Sequence, residues 1–267
     1  MQRTRTVPAA LPTEVGVHGG LAYSLWLPPT QPPRGGIVIV HGAGSCKENH
    51  HDYARAARAA GFAAIAFDQR GHGASKGPMD GRAVEDVAAI AAQLRAALAD
   101  PAAPIALRGS SMGGYLAIVA AAITNARAVV AICPASAEGL RRGLHDGKFE
   151  FEADIPALDR LLATNDDDAA VERLAIPLLL LHAEADEEVP VAHSRELDVS
   201  VFLLYAEGDE QVPVEQSREL AGLLRSPRSR LIALPGGHHQ SIQHDPELQA
   251  VSLRFIEASF ANSSGSR

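Results

Sequence analysis

The feature that most limits what this chain can fold into is a regular alternation of two kinds of segment. Short apolar runs rich in β-branched residues are separated by Ala-rich stretches of helical period, the pattern of βαβ units and a mostly parallel sheet. Strands are predicted at 21–27, 36–40, 63–67, 105–107, 128–133, 178–181, 201–205 and 230–234. Several are unbroken apolar runs, as strands buried on both faces require. Residues 82–99 place Val84, Val87, Ala88, Ala91, Leu94 and Leu98 on one face of a helix, and 51–60 form a second helix.

A chain of 267 residues is long enough for one α/β domain with helices on both faces of its sheet. Aromatic residues make up only 4%, so the core must rest on Ala, Leu, Ile and Val. A formal net charge of −8 opposes nucleic-acid binding, which needs a basic face. No stretch is apolar for long enough to span a membrane, and no apolar run follows the two N-terminal arginines as in a secretory signal. Cys46 and Cys133 stand in unlike contexts and read as reduced thiols, so a cytoplasmic protein is expected.

Two regions break the rhythm. Residues 136–175 are charge-rich, contain two short helical patterns and are too long for a simple connection, which points to a cap insertion. The second break is a duplication: LLLLHAEADEEVPVAHSREL (178–197) and VFLLYAEGDEQVPVEQSREL (201–220) share 13 of 20 positions. Composition alone would give about one. The polar tail 261–267 is expected to lack fixed structure.

Three motifs carry chemistry. Gly109-Ser110-Ser111-Met112-Gly113 has the G-x-S-x-G pattern, between a strand and a helix. Glycines two before and two after the serine allow a tight turn that exposes its Oγ, and the helix N-terminus adds positive potential there. The strand 37–40 ends in His41-Gly42-Ala43-Gly44, a turn able to aim a backbone N–H at an oxyanion; the residue after the serine supplies another. Those donors are assigned to Ala43 and Met112, and the His41 side chain to bracing the turn. Late in the chain, strand 231–234 runs into Pro235-Gly236-Gly237-His238-His239, where a general base is expected; His239 is preferred to His238.

The segment HGAGSCKENHHDYARAARAAGFAAIAFDQRGHGAS, followed by the GSSMGG elbow, resembles the α/β-hydrolases. Within them it is most similar to bacterial serine esterases and to the monoacylglycerol lipase and lysophospholipase group. The resemblance runs from Leu21 to Ala258. It implies an eight-stranded α/β-hydrolase sheet with a cap after the sixth strand, Ser111 as nucleophile and His239 as base. It also makes His72 architectural. The family's acid follows the seventh strand in a loop like G-x-x-D-x-x-V-P, and this chain has two, with Asp186 and Asp209, each with alanine in place of the glycine. Asp209 is preferred, because one helix, 213–224, separates it from the strand before His239. On that reading copy one is an insertion beside the cap.

These residues predict a serine hydrolase that cleaves carboxylic esters through an acyl-enzyme. Peptidase, thioesterase or carbon–carbon hydrolase chemistry would use the same triad, and a catalytically silent binding protein is the reading from another class. No phosphate loop, dinucleotide fingerprint or metal cluster is recognisable, so no cofactor is expected. The partner expected is a small-molecule ester, and an extra strand near a sheet edge could pair copies of the chain into a homo-oligomer.

Overall fold

The computed structural model describes residues 9–183, 230–234 and 242–263. Its strands are β1 (Glu14–His18), β2 (Leu21–Trp26), β3 (Gly36–Val40), β4 (Ala63–Phe67), β5 (Ile105–Ser110), β6 (Ala128–Ile132), β7 (Leu178–Ala183) and β8 (Arg230–Leu234). The helices are α1 (His51–Ala59), α2 (Ala83–Ala97), α3 (Met112–Ala120), α4 (Ala137–His145), α5 (Ile155–Thr164), α6 (Asp167–Glu172) and α7 (Pro246–Ser263). The strands form one sheet in the order β1-β2-β4-β3-β5-β6-β7-β8. β2 runs antiparallel to both of its neighbours, β1 and β4, and every pairing from β4 through β8 is parallel. This is the mostly parallel sheet expected from the alternation of segments, with the eight strands that the family resemblance implies.

All residues of β3, β4, β5 and β6 are buried, as a sheet covered on both faces demands. Side chains alternate between two layers. Val38, Val40, Leu107 and Val129 pack with α2 and α3, while Ile37, Ile39, Ala106 and Val130 pack with α1 and α7. The small Ala residues of β4 and β6 let the helices approach closely.

Two elements carry weak sequence signals and were not anticipated. β1 is an edge strand whose Val15 and Val17 are 67% and 63% exposed, so no core-facing pattern marks it. α7 begins with Pro246 after Asp245, whose carboxylate accepts from the N–H groups of Glu247 and Leu248 at 2.8 and 3.0 Å. Ile256 and Phe260 of this helix are buried against the sheet. The helix continues through Ser263, so the first part of the tail is ordered, contrary to expectation.

The 136–175 segment holds three helices rather than two. Each has a side-chain cap: Ser136 accepts from Gly139 N–H, Asp154 from Ala157 N–H and Asp166 from Ala169 N–H. The duplication is only half described. Copy one supplies β7, hydrogen-bonded to β6 on one side and β8 on the other. That pairing overturns the reading of copy one as an insertion. The strand predicted at 201–205 and the helix at 213–224 lie outside the described residues.

Candidate active site

Order within the sheet reverses at β3, whose neighbours β4 and β5 lie on opposite sides, and a crevice forms at such a switch point beyond the carboxyl ends of the strands. Ser111 stands there alone between the last residue of β5 and the first of α3. Its φ of 53° and ψ of −121° hold it in a conformation unfavourable for a residue with a Cβ. The turn is this tight because of Gly109 and Gly113. A Cβ on Gly109 would lie 1.9 Å from the Gly113 carbonyl oxygen, and one on Gly113 would lie 2.2 Å from that of Val40. The elbow is locked from β6: Ser111 N–H donates to Ile132 O at 2.9 Å, and Ser111 O accepts from Tyr115 and Ala135 N–H at 3.1 and 3.2 Å. Ser111 is half-buried, whereas its neighbour Ser110 is buried.

The turn after β3 lies against this serine. A Cβ built on Gly42 would come within 3.3 Å of the Ser111 Cβ. The N–H groups of Ala43 and Met112 donate to no backbone acceptor among the described residues. Met112 also opens α3, where the helix dipole favours negative charge. The structure therefore brings Ser111, Ala43 and Met112 together. His239, His238, Asp209 and Asp186 lie outside the described residues.

His41 is fully buried, with Nδ1 2.7 Å from Gly42 O and Nε2 accepting from Gln69 N–H at 3.0 Å. Because the carbonyl can only accept, Nδ1 carries the proton. Burial pushes the His41 pKa down to about 4, so the ring is neutral at neutral pH. Gly42 O and Ala43 N–H belong to one planar peptide unit, so gripping the carbonyl also orients the N–H. His41 braces the turn, as its place in the motif suggests.

Other groups that hold this region were not singled out in the sequence. Lys47 Nζ pairs with the buried Asp68 carboxylate at 2.8 Å, and the same carboxylate accepts from the backbone N–H of Lys47 and Ala74. Burial disfavours the charged form of Asp68, but these bonds outweigh it and hold its pKa below the usual value. The visible signal was a buried strand ending directly in Asp68-Gln69. On the face of the sheet that α1 covers, Arg108 is buried on β5, with its guanidinium 3.9 Å over the Tyr53 ring and Nη2 donating to Gln243 O at 2.8 Å. His244 Nδ1 and Gln249 Nε2 both meet Asp52 Oδ2, at 2.9 and 2.7 Å. His50 and His51 fall near this cluster; burial drives the His50 pKa well down, and the Arg108 charge adds to that.

Beside Met112 lies an apolar slot between α3 and the α4–α6 segment. Met112, Tyr115 and Leu116 form its floor, and Leu140, Leu144, Phe149, Phe151 and Leu158 are among its walls. Tyr115 OH donates to Asn165 O at 2.7 Å and ties the two layers together. No helix among the described residues is long and apolar enough to cross a membrane.

A mostly parallel sheet with a strand–serine–helix elbow at its switch point, beside the turn that ends the adjoining strand, is hydrolase architecture. The sequence profile of the alpha/beta hydrolase family matches residues 37–251, and the chain belongs to that family. A monoacylglycerol lipase of Mycolicibacterium smegmatis (strain ATCC 700084 / mc(2)155) is 35% identical over 105 residues, spanning 37% of this chain and 36% of that protein. Similar solved structures include a monoacylglycerol lipase of Paleococcus ferrophilus, with a TM-score of 0.60 and 21% identity, covering 90% of this chain and 99% of that one. Est1E of Butyrivibrio proteoclasticus with bound ferulic acid has a TM-score of 0.62 and 19% identity, covering 94% and 99%. At these identities the two structures speak for the fold.

Proposed function

We propose that this chain is a serine esterase that cleaves carboxylic esters through an acyl-enzyme on Ser111. The observation that carries this is the strained elbow: Ser111 at positive φ, beside the N–H groups of Ala43 and Met112, which donate to no backbone acceptor among the described residues. In this reading Ser111 Oγ attacks the ester carbonyl while His239 takes its proton. The two N–H groups stabilise the tetrahedral oxyanion, His239 protonates the leaving alcohol, and water then releases the acid by the same route. None of these steps calls on a cofactor.

The acid that orients His239 comes from one of the two duplicated loops. Asp209 has the shorter separation from His239, 30 residues against 53 for Asp186. The pairing of β7 with β8 favours Asp186 instead. Asp186 follows β7 by three residues and His239 follows β8 by five, so both leave adjacent parallel strands at the same edge of the sheet. At about 3.5 Å per residue their loops are short enough to meet above that edge. Asp209 is 21 residues from β8 and 26 from β7, so the sheet does not constrain it comparably.

The α4–α6 segment acts as a cap, and the slot beneath it takes the acyl part of the ester. Its wholly apolar lining suits a short or medium alkyl chain better than a peptide or a charged acyl carrier. The monoacylglycerol lipase similarity is in keeping with this. The test is labelling by a fluorophosphonate, with the modified peptide mapped by mass spectrometry, followed by a panel of esters graded in acyl length. Labelling at Ser111 together with ester turnover is expected. A protein that is folded but neither labels nor hydrolyses any ester would support a silent binding protein on this scaffold.

A further inference from the structure

We infer that His72 is a positioning residue that couples the cap to the oxyanion turn, holding Gly44 N–H through Nε2 while Phe151 of the cap lies on its ring. The inference rests on the esterase reading above.

The tautomer of His72 follows from its partners. Nδ1 lies 2.9 Å from Arg70 O and must donate, which leaves Nε2 as the acceptor for Gly44 N–H at 3.2 Å. The far end of this link is rigid. Arg70 grips Asp86 through two bonds, at 2.8 and 3.0 Å, and donates to Gly19 O at 3.1 Å.

Gly44 needs such a tether. It is exposed, its φ is +68°, and no atom packs where its Cβ would be. Packing does not fix this residue, yet it adjoins Ala43, the proposed oxyanion donor. His41 fixes the Gly42–Ala43 peptide from one side, and His72 fixes the Ala43–Gly44 peptide from the other. The two rings meet edge to face at 4.9 Å. Two consecutive peptide planes are thus held by two neutral imidazoles.

The opposite connection runs to the cap. Phe151 stacks on His72 at 4.4 Å, and Phe149 stacks on Phe151 at 5.6 Å. Both phenylalanines line the apolar slot. The chain around Phe151 is also clipped to the loop of His72: Glu152 N–H donates to Gly71 O, Met79 N–H to Glu152 O and Asp154 N–H to Met79 O. An acyl chain entering the slot therefore presses on the ring that sets the oxyanion turn. A substrate long enough to reach Phe151 gains in turnover as well as in binding.

The test compares His72→Gln with His72→Met, near-isosteric side chains of which only Gln offers a strong acceptor. Each is assayed for kcat and KM on an acetate and on a medium-chain ester, after thermal unfolding confirms that it folds. His72→Met should lose about tenfold in kcat with KM changed less than about twofold, a fraction of the loss from removing an oxyanion donor outright. His72→Gln should recover most of that loss. Phe151→Ala, at a half-buried position, should lower the medium-chain to acetate ratio of kcat by about threefold or more. Wild-type kcat in His72→Met overturns the inference, as does an equal fall in folded Gln and Met variants. If neither His72 variant folds, an unchanged kcat ratio in Phe151→Ala overturns it. Wild-type protein inert to the fluorophosphonate would instead overturn the esterase reading on which this rests.

Discussion

Arg108 of β5, three residues before Ser111, donates from Nη2 to the Gln243 carbonyl, four residues after His239 in the chain. One buried guanidinium thereby ties the strand of the proposed nucleophile to the segment that follows the proposed base. Arg108→Met would keep apolar bulk but remove the shorter of two bonds to Gln243 O, leaving it only Gln249 Nε2 at 3.2 Å, at a cost of about 1–2 kcal/mol. The same change should slow ester turnover while leaving KM close to wild type, because it loosens the histidine segment and not the acyl slot. Urea unfolding and steady-state kinetics on one preparation check both. A variant as stable and as fast as wild type would show that this bond positions nothing.

Strain at Ser111 separates its chemical role from its structural one. Ser111→Gly should raise stability by about 1 kcal/mol, since glycine accepts a positive φ without penalty, and should abolish turnover. Ser111→Ala keeps the Cβ and the strain, so it should lose turnover at near wild-type stability. Thermal unfolding of the pair reads the difference. Equal melting temperatures for the two variants would mean that the elbow is relaxed.

The two aspartates are told apart by a pair of single variants, Asp186→Asn and Asp209→Asn, assayed with the same ester. The orienting acid should lose about four orders of magnitude in turnover, because an amide favours the wrong imidazole tautomer. The pairing of β7 with β8 leads us to expect that collapse for Asp186→Asn. A collapse confined to Asp209→Asn would mean that copy two supplies the acid from outside the described sheet.

Acid should destabilise the fold through its buried histidines. The His41 pKa is about 4 in the folded chain against about 6.5 in an exposed histidine, so between those values the unfolded chain binds more protons. Stability therefore rises with pH through this window and is lost as pH falls from about 6.5 to 4. For His41 alone the loss amounts to about 3 kcal/mol. His50, His51 and His72 are shifted in the same direction, chiefly by burial, and add to it. Urea unfolding from pH 4 to 7 measures the slope, which His41→Gln should flatten by about one proton. An unchanged slope in that variant would contradict the neutral, buried state of the ring.

The sequence by itself determined the parallel sheet, most of its strands and the place of Ser111. Those features are written in local patterns: short unbroken apolar runs, period-3.6 apolar spacing, and glycines that alone fit a turn whose Cβ positions are occupied by backbone. The turn 41–44 was legible for a related reason: a Cβ on Gly42 would crowd Ser110 O and the Ser111 Cβ at 3.3 Å, and Gly44 supplies a positive φ of +68°. Tertiary structure decided what depends on contacts between distant segments. The grip of His41 on Gly42 O depends on Gln69, 28 residues away, and the ring stack of His72 on Phe151 spans 79 residues. β1 was missed because an exposed edge strand buries no apolar face. The place of copy one differs from the sequence reading because the apolar runs 178–181 and 201–205 have similar local preferences. Only the hydrogen bonds to β6 on one side and β8 on the other place 178–183 in the sheet.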